Sequence, residues 1–224
     1  MALTQVHLGM LRNVPLFAVL DEPELNALAG VMTRRAVPRN RTVLQAGDPT
    51  DSLYIILTGR TRVQMSDDEG KEVILASLGP GDFFGEMGLM DEEPRSASVL
   101  TTEACEFIVI TKDDFKAIFK DNFDLAMVIM RGLVKRLREA DRKIESLALL
   151  DVYGRVARVL IENSEVIDGH KVVKGKLPRQ DIAKMIGASR EMVSRVMKGL
   201  EVGGYIETRD DGSIILRERL SAHL

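Results

Sequence analysis

Between Arg34 and Thr111 the chain consists of short apolar runs separated by glycines, and this pattern restricts the fold more than any other feature of the sequence. Residues 53–57 and 107–110 represent these runs, which are rich in the β-branched and aromatic residues that strands favour. Glycines fall between the runs, where tight turns would join neighbouring strands: Gly47, Gly59, Gly70, Gly79 and Gly81. The pattern predicts an antiparallel β-barrel or jelly roll.

Helical patterns flank this predicted barrel. Residues 4–30 have helical character in pieces, and Asp21 and Glu24 have the spacing of a capping box with Pro23 early in the first turn. A long helix is predicted from about Asn122 to Ala148. Its apolar positions alternate in steps of four and three: Ala126, Met130, Leu133, Leu137, Ala140, Ile144 and Leu147. This heptad spacing favours a parallel homodimer, and the alternative is a helix that packs on its own barrel.

One segment, residues 83–99, interrupts the strands with a different composition. Two glycines surround a carboxylate, and a proline then precedes an arginine and a serine: Gly85, Glu86, Gly88, Pro94, Arg95 and Ser96. Gly85 allows backbone N–H groups to approach an anion, and the planar fork of Arg95 matches phosphate oxygens. Glu86 suits a sugar hydroxyl. The segment therefore predicts a ligand with a phosphate close to a ribose edge, as in a cyclic nucleotide.

Charge and composition exclude several classes of site. The net charge of -3 means that any contact with nucleic acid must come from a local basic patch. A single cysteine, Cys105, excludes an internal disulfide and a cysteine-ligated cluster within one chain. His7, His170 and His223 are too scattered to predict a metal site. No stretch has the length of a membrane span, so we expect a cytoplasmic protein without a membrane partner.

Residues 178–201 predict a second functional element. Gly187 supplies a tight turn between two short crossing helices, and Ser189 is placed to cap the second one. A β-hairpin wing is predicted over 203–213. Residues 176–200 contain six basic and two acidic residues, so positive charge concentrates where DNA phosphates would lie.

The second helix of this pair carries side chains suited to reading bases. Arginine is the usual bidentate reader of guanine, and glutamate accepts a hydrogen bond from cytosine N4. The residues predicted to bind DNA are Arg179, Ser189, Arg190, Glu191, Ser194, Arg195 and Lys198.

These motifs together resemble the CRP/FNR family of bacterial transcription regulators, and in particular its catabolite activator (cyclic AMP receptor) branch. The resemblance rests on Gly85–Leu89, Pro94–Val99, Leu147–Val152 and the run Ser189-Arg190-Glu191-x-x-x-Arg195. It implies an α+β chain with three parts. These are a cyclic-nucleotide-binding jelly roll over residues 1–120, a dimerisation helix over 121–149 and a winged helix-turn-helix over 150–224.

The resemblance also implies roles for individual residues. Glu86 would bind the ribose 2′-hydroxyl, while Arg95 and Ser96 would hold the cyclic phosphate of cyclic AMP. Arg190, Glu191 and Arg195 would read a G-T-G-A core in a palindromic site, and RNA polymerase is an expected partner. The expected ligand-binding residues are Gly85, Glu86, Met87, Arg95, Ser96, Arg136, Ala140 and Asp141.

One departure from the family pattern concerns the base of the nucleotide. The cyclic AMP branch places a Thr–Ser pair on the long helix against adenine, where this chain has Ala140 and Asp141. Ala140 cannot form a hydrogen bond with a base through its side chain. Asp141 is an acceptor only, so it suits the adenine N6 amino group or the N1–H and N2–H donors of guanine. Cyclic GMP and cyclic di-GMP therefore remain alternatives, either as activators or as inhibitors of DNA binding.

Two alternatives come from other functional classes. A nucleotide-binding module without DNA function would lack the basic helix pair of residues 176–206. A cyclic-nucleotide hydrolase would need a metal cluster or a general base, and Glu86 is the sole candidate within the segment. We therefore predict a regulator that is not an enzyme.

Overall fold

The chain forms two compact units, residues 1–136 and 137–224. A computed structural model describes residues 11–12, 14–120, 122–217 and 220, and the helical pieces predicted within residues 4–10 lie outside this set. The predicted α+β fold is confirmed. The three-part division at residues 120 and 149 remains a prediction.

The first described helix of regular length, α1 (Glu22–Val31), begins with the predicted capping box. The Asp21 side chain accepts a hydrogen bond from the Glu24 backbone N–H at 2.8 Å. The Glu24 carboxylate in turn accepts one from the Asp21 backbone N–H at 2.8 Å. The helix starts here because these two bonds satisfy backbone donors that have no partner within the helix.

Residues 33–111 form the predicted jelly roll from two antiparallel sheets of four strands. Their orders are β1-β8-β3-β6 and β2-β7-β4-β5. The runs at 53–57 and 107–110 are confirmed as parts of β3 and β8. The strands are β1 (Thr33–Val37), β2 (Thr42–Leu44), β3 (Ser52–Thr58), β4 (Thr61–Ser66), β5 (Glu72–Leu78), β6 (Phe83–Phe84), β7 (Ser98–Thr101) and β8 (Cys105–Thr111).

The strand β3 is buried on both of its faces. Tyr54 and Ile56 face the other sheet, where the Tyr54 ring stacks on Phe84 with centroids 5.2 Å apart. Leu53 and Ile55 alternate with them and pack among helical residues of the first unit. A strand covered on both faces is apolar at every position, which explains why this run shows no polar alternation.

Three helices follow or interrupt the strands of the first unit. The short α2 (Met87–Met90) lies between β6 and β7, and α3 (Lys112–Lys120) follows β8. The predicted long helix is confirmed as α4 (Phe123–Leu149), and the boundary between the compact units falls inside it. Leu125 and Ile129 are buried in the core of the first unit.

The heptad positions further along α4 remain uncovered within one chain. Leu137, Ile144 and Leu147 are 62%, 65% and 56% exposed. Large apolar side chains exposed along one stripe of a helix are the usual mark of an interaction surface.

The second unit contains two helices that cross at a tight turn and a four-stranded sheet of order β11-β12-β10-β9. A further helix precedes this pair, and it begins at a cap where the Asp151 side chain accepts a hydrogen bond from the Gly154 N–H at 2.8 Å. The core is apolar and includes Val156, Ile182 and Val193. The elements are α5 (Val152–Glu162), β9 (Ser164–Ile167), β10 (His170–Val173), α6 (Arg179–Ile186), α7 (Arg190–Val202), β11 (Ile206–Thr208) and β12 (Ile214–Leu216).

Candidate functional site

The turn after β6 requires glycine at two positions. Gly85 has φ of +87°, and a Cβ there would lie 2.6 Å from the Arg95 Nη1 atom and 3.0 Å from the Ser52 carbonyl oxygen. A Cβ at Gly88 would overlap the Thr50 side chain. Both positions therefore exclude side chains, and the backbone folds closely over Arg95.

Glu86 is a buried carboxylate with one free oxygen. Its side chain is 1% exposed, and Oε1 accepts a hydrogen bond from the Arg136 Nη1 at 2.5 Å. Oε2 is buried and has no hydrogen-bond partner among the described residues. Burial raises the pKa of Glu86, and the Arg136 guanidinium opposes this shift. The free oxygen can accept a hydrogen bond from a ligand hydroxyl.

Arg95 is held in place by the backbone around it. Its Nη1 donates to the Gly85 carbonyl at 2.9 Å, and its Nη2 donates to the Ser52 carbonyl at 2.9 Å. The Asp51 carboxylate also accepts from Nη2 at 3.0 Å. The Arg95 Nε is buried without a partner among the described residues. Sequence reasoning did not identify Asp51 or Ser52 as contacts of Arg95, because they precede it by more than forty residues.

One cavity collects six of the eight predicted ligand-binding residues. Ser96 lies at its exposed side, where its hydroxyl donates to the Met87 Sδ at 3.8 Å. The cavity thus combines a buried carboxylate, a buried guanidinium and an exposed hydroxyl. Its lining is Leu44, Val63, Phe84, Gly85, Glu86, Met87, Gly88, Arg95, Ser96, Ala97, Val99 and Arg136.

The helix α4 reaches this cavity through a contact that sequence reasoning missed. A Cβ at Gly132 would lie 2.8 Å from the Phe83 ring, so the glycine permits a close approach of helix and ring. One turn later, the Arg136 guanidinium lies 4.9 Å from the centroid of the same ring and donates to the Phe83 carbonyl. Arg136 is thereby directed toward Glu86. A glycine inside a long helical pattern was the available signal.

The second unit has the predicted helix-turn-helix geometry. Gly187 has φ of +64° and ends α6, as a tight turn between helices requires. The Ser189 hydroxyl accepts a hydrogen bond from the Met192 N–H at 3.1 Å, so it caps α7. Ile182 and Val193 are fully buried where the helices meet, whereas Val196 is only partly buried. The predicted wing is confirmed as the paired strands β11 and β12.

The predicted base-reading side chains share one exposed surface of α7. Arg190, Glu191, Arg195 and Lys198 are exposed, while Ser194 is half-buried. Arg179 begins α6 and is half-buried. The surface is thus rich in donors and carries a single carboxylate, a combination suited to phosphates and base edges.

Comparison with known proteins identifies the same two elements. Residues 34–122 match the cyclic nucleotide-binding domain family, and residues 154–222 match the Crp-like helix-turn-helix domain family. The chain is 34% identical over 212 residues to the cAMP-activated global transcriptional regulator Vfr of Pseudomonas aeruginosa, with 90% of this chain and 99% of Vfr covered. The chain belongs to the CRP/FNR family. It is a cyclic-nucleotide-responsive, DNA-binding transcription regulator.

Other CRP/FNR proteins are similar over much of their length. The cAMP-activated global transcriptional regulator CRP of Haemophilus influenzae is 39% identical over 168 residues, with 73% of this chain and 75% of that protein covered. The solved structure of the c-di-GMP responsive global regulator CLP of Xanthomonas campestris has a TM-score of 0.75 at 29% identity. The alignment covers 88% of this chain and 99% of CLP.

Two of the predicted ligand-binding residues do not line the cavity and belong to the other compact unit. Ala140 and Asp141 follow Arg136 along α4, on the other side of the boundary between the compact units. Both are exposed within one chain. Their contact with a nucleotide stays a prediction.

Two kinds of feature are absent from the described part of the chain. No group of three or more histidine, cysteine, aspartate or glutamate side chains there is arranged to hold a metal ion. No helix in those residues is both long and apolar enough to cross a bilayer.

Proposed function

We propose that cyclic AMP binds in the cavity between Glu86 and Arg95 and controls DNA binding by a homodimer of this chain. The observation that carries the proposal is the free Oε2 of Glu86, a buried acceptor in the same cavity as a buried guanidinium. Buried polar atoms are rarely left unpaired, so a missing donor is expected there. A ribose 2′-hydroxyl supplies that donor.

The phosphate end of the ligand belongs at Arg95 and Ser96. The Arg95 Nε and the Ser96 hydroxyl are the donors available for it. Vfr of Pseudomonas aeruginosa and CRP of Haemophilus influenzae are named as cAMP-activated, which supports cyclic AMP as the nucleotide. The nucleotide acts as an effector and is not chemically changed.

We propose that the exposed stripe of α4 forms the homodimer interface. A second copy covering Leu137, Ile144 and Leu147 would bury the apolar area left exposed in one chain. In the dimer, Ala140 and Asp141 of the two chains would approach the bases of both ligands. The ligand shifts the dimer toward the DNA-binding state only through a higher affinity for that state.

The proposed DNA target is a palindrome with a T-G-T-G-A half-site. Arg190, Glu191 and Arg195 would read its bases, while Ser189, Ser194, Lys198 and Arg179 would contact the backbone and help to position the helix. Because the proposed target is genomic DNA of a bacterium, the protein would act in the cytoplasm, with RNA polymerase as its partner.

A guanine nucleotide is the second candidate for the effector. The Asp141 side chain is a hydrogen-bond acceptor only, and guanine presents two adjacent donors, N1–H and N2–H, to such a carboxylate. CLP, at 29% identity, is named as c-di-GMP responsive. Cyclic GMP or cyclic di-GMP would then bind the same cavity and regulate the same DNA-binding surface.

The test is fluorescence anisotropy of a labelled duplex that carries T-G-T-G-A and its inverted repeat, with a shuffled duplex as control. Salt is held fixed, because phosphate contacts make the affinity depend on salt. We expect cyclic AMP to tighten binding to the palindrome alone. A response only to cyclic GMP or cyclic di-GMP would select the second candidate.

A matched pair of variants ties the response to the cavity. Glu86→Gln removes the buried carboxylate and is expected to lose a charge-assisted hydrogen bond of about 1.5–3 kcal/mol to the nucleotide. Glu93→Gln changes an exposed carboxylate of the same segment and should respond like the unaltered protein. DNA binding that ignores every nucleotide, or an unimpaired response of Glu86→Gln, would contradict the proposed function.

A further inference from the structure

Met87 places an accessible thioether inside the cavity. It is the first residue of α2, is 48% exposed and lines the cavity together with Arg95 and Ser96. Its Sδ accepts a hydrogen bond from the Ser96 hydroxyl at 3.8 Å. The side chain is therefore open to small reagents, and its sulfur is in contact with a hydroxyl that we assign to the phosphate.

Oxidation would change this contact strongly. A thioether sulfur is a weak acceptor, so Ser96 can leave it for a phosphate oxygen at little cost. A peroxide transfers one oxygen atom to the sulfur: its O–O bond breaks, an S–O bond forms, and the peroxide is reduced to water or an alcohol. The product, a sulfoxide, is polar and accepts hydrogen bonds through its oxygen.

We propose that Met87 is a site of oxidation by peroxides, and that its sulfoxide weakens nucleotide binding at this cavity. The inference rests on the proposed function. The sulfoxide oxygen competes with the phosphate for the Ser96 hydroxyl, and it places partial negative charge beside an anionic ligand. Both effects oppose the nucleotide, and enzymatic reduction of the sulfoxide would reverse them.

Met90 provides an internal control. It ends the same short helix and is 46% exposed, so its accessibility resembles that of Met87. It lies outside the described lining of the cavity. Oxidation at Met90 should therefore leave nucleotide binding unchanged.

The experiment compares the full chain with its Met87→Leu and Met90→Leu variants before and after treatment with hydrogen peroxide. Mass spectrometry follows the sulfoxide at each methionine, and calorimetry measures binding of cyclic AMP, cyclic GMP and cyclic di-GMP. Each protein is compared with its own untreated sample, because Met87 belongs to the cavity. Nucleotide binding is measured rather than DNA binding, since Met192 on α7 is also 37% exposed.

We expect peroxide treatment to lower the nucleotide affinity of the unaltered protein and of Met90→Leu by about tenfold. The loss of one hydrogen bond to a charged group would produce a change of this size. The nucleotide affinity of treated Met87→Leu should differ by less than about twofold from that of its untreated sample. Methionine sulfoxide reductase should restore the nucleotide affinity of the treated, unaltered protein.

Two results would overturn this inference and leave the proposed function standing. One is full oxidation at Met87 with unchanged affinity, and the other is an equal loss in Met87→Leu. Failure of the untreated, unaltered protein to bind any of the three nucleotides would overturn the proposed function and this inference with it.

Discussion

At the scale of single residues, two buried atoms of opposite character lie in one cavity without partners among the described residues. They are the Oε2 of Glu86 and the Nε of Arg95. Every other strong interaction of these side chains directs them: Arg136 holds the carboxylate, and the Gly85 and Ser52 carbonyls hold the guanidinium. An acceptor and a donor kept free in this way are ready for one ligand that presents both a hydroxyl and an anionic oxygen.

Nucleotide affinity is expected to fall as the pH is lowered. Burial raises the pKa of Glu86, so this carboxylate takes up a proton at a higher pH than an exposed glutamate does. In the proposed complex the ionised form accepts the ribose hydroxyl and pairs with Arg136, so protonation would weaken both interactions. Calorimetry with cyclic AMP across a pH series should therefore show affinity declining as pH falls through the raised pKa.

The control for this prediction is Glu86→Gln, which cannot ionise. Its weaker binding should stay level over the pH range in which the unaltered protein declines. A parallel decline in both proteins would assign the pH dependence to another group.

Base recognition should depend on Arg190 more than on Lys198. Arg190→Ala is expected to cost about 1–3 kcal/mol on the palindrome and to relax the preference at one base pair. Lys198→Ala, on the same exposed surface of α7, should weaken all duplexes alike and reduce the salt slope by about one. Anisotropy with single-base variants of the duplex measures both. A uniform loss for Arg190→Ala would make it a phosphate contact.

At the scale of elements, the approach of α4 to β6 depends on one position without a side chain. Gly132 lies against the Phe83 ring, and Arg136 on the next turn contacts both that ring and Glu86. Phe83 itself is 7% exposed and has little room to move. The geometry of the carboxylate is therefore set by helix packing as well as by its own segment.

Gly132→Ala is expected to destabilise the protein and to weaken nucleotide binding. Alanine favours a helix interior over glycine by about 1 kcal/mol, but the new methyl group would press into the Phe83 ring, and overpacking typically costs about 1–3 kcal/mol. Displacement of the ring would also carry Arg136 away from Glu86. Urea unfolding and calorimetry with cyclic AMP measure the two effects.

A matched substitution separates packing from helix propensity. Gly30 lies in α1 of the same unit, and a Cβ there would meet nothing within 4 Å. Gly30→Ala should therefore keep or slightly raise the stability and leave nucleotide affinity unchanged. Equal behaviour of the two variants would show that the contact with Phe83 is unimportant.

The elements themselves were largely predictable because their signals are local. The caps at Asp21 and Ser189 bond to N–H groups three residues away, so sequence spacing alone revealed them. Pairs between distant segments, such as Asp51 with Arg95 or Gly132 with Phe83, depend on how strands and helix pack. No local spacing encodes that packing, so these contacts of the cavity were missed.

At the scale of the whole molecule, the exposed stripe of α4 is expected to control assembly. Ile144→Glu places a charge in the centre of the proposed interface and should shift the dimer to monomers, because an unpaired buried charge is costly. Analytical ultracentrifugation measures this, and DNA affinity should fall with it.

The comparison variant is Lys135→Glu, which alters an exposed residue on the opposite side of the same helix. It changes the net charge by more than Ile144→Glu does, yet it should remain dimeric. A monomeric Lys135→Glu, or a dimeric Ile144→Glu, would argue against α4 as the interface.

The part of the chain shared with other cyclic nucleotide-binding domains ends at residue 122, whereas the compact unit continues to Arg136. The segment that matches the domain family thus ends before Arg136, which completes the surroundings of the Glu86 carboxylate. A chimaera joined near residue 122 would give Glu86 a foreign helix, and its ligand response would follow the donor of that helix. A chimaera joined after Arg136 would keep the part of the helix that contacts Glu86 in this chain. Exchange of this helix is therefore expected to change ligand sensitivity without altering any residue of the barrel.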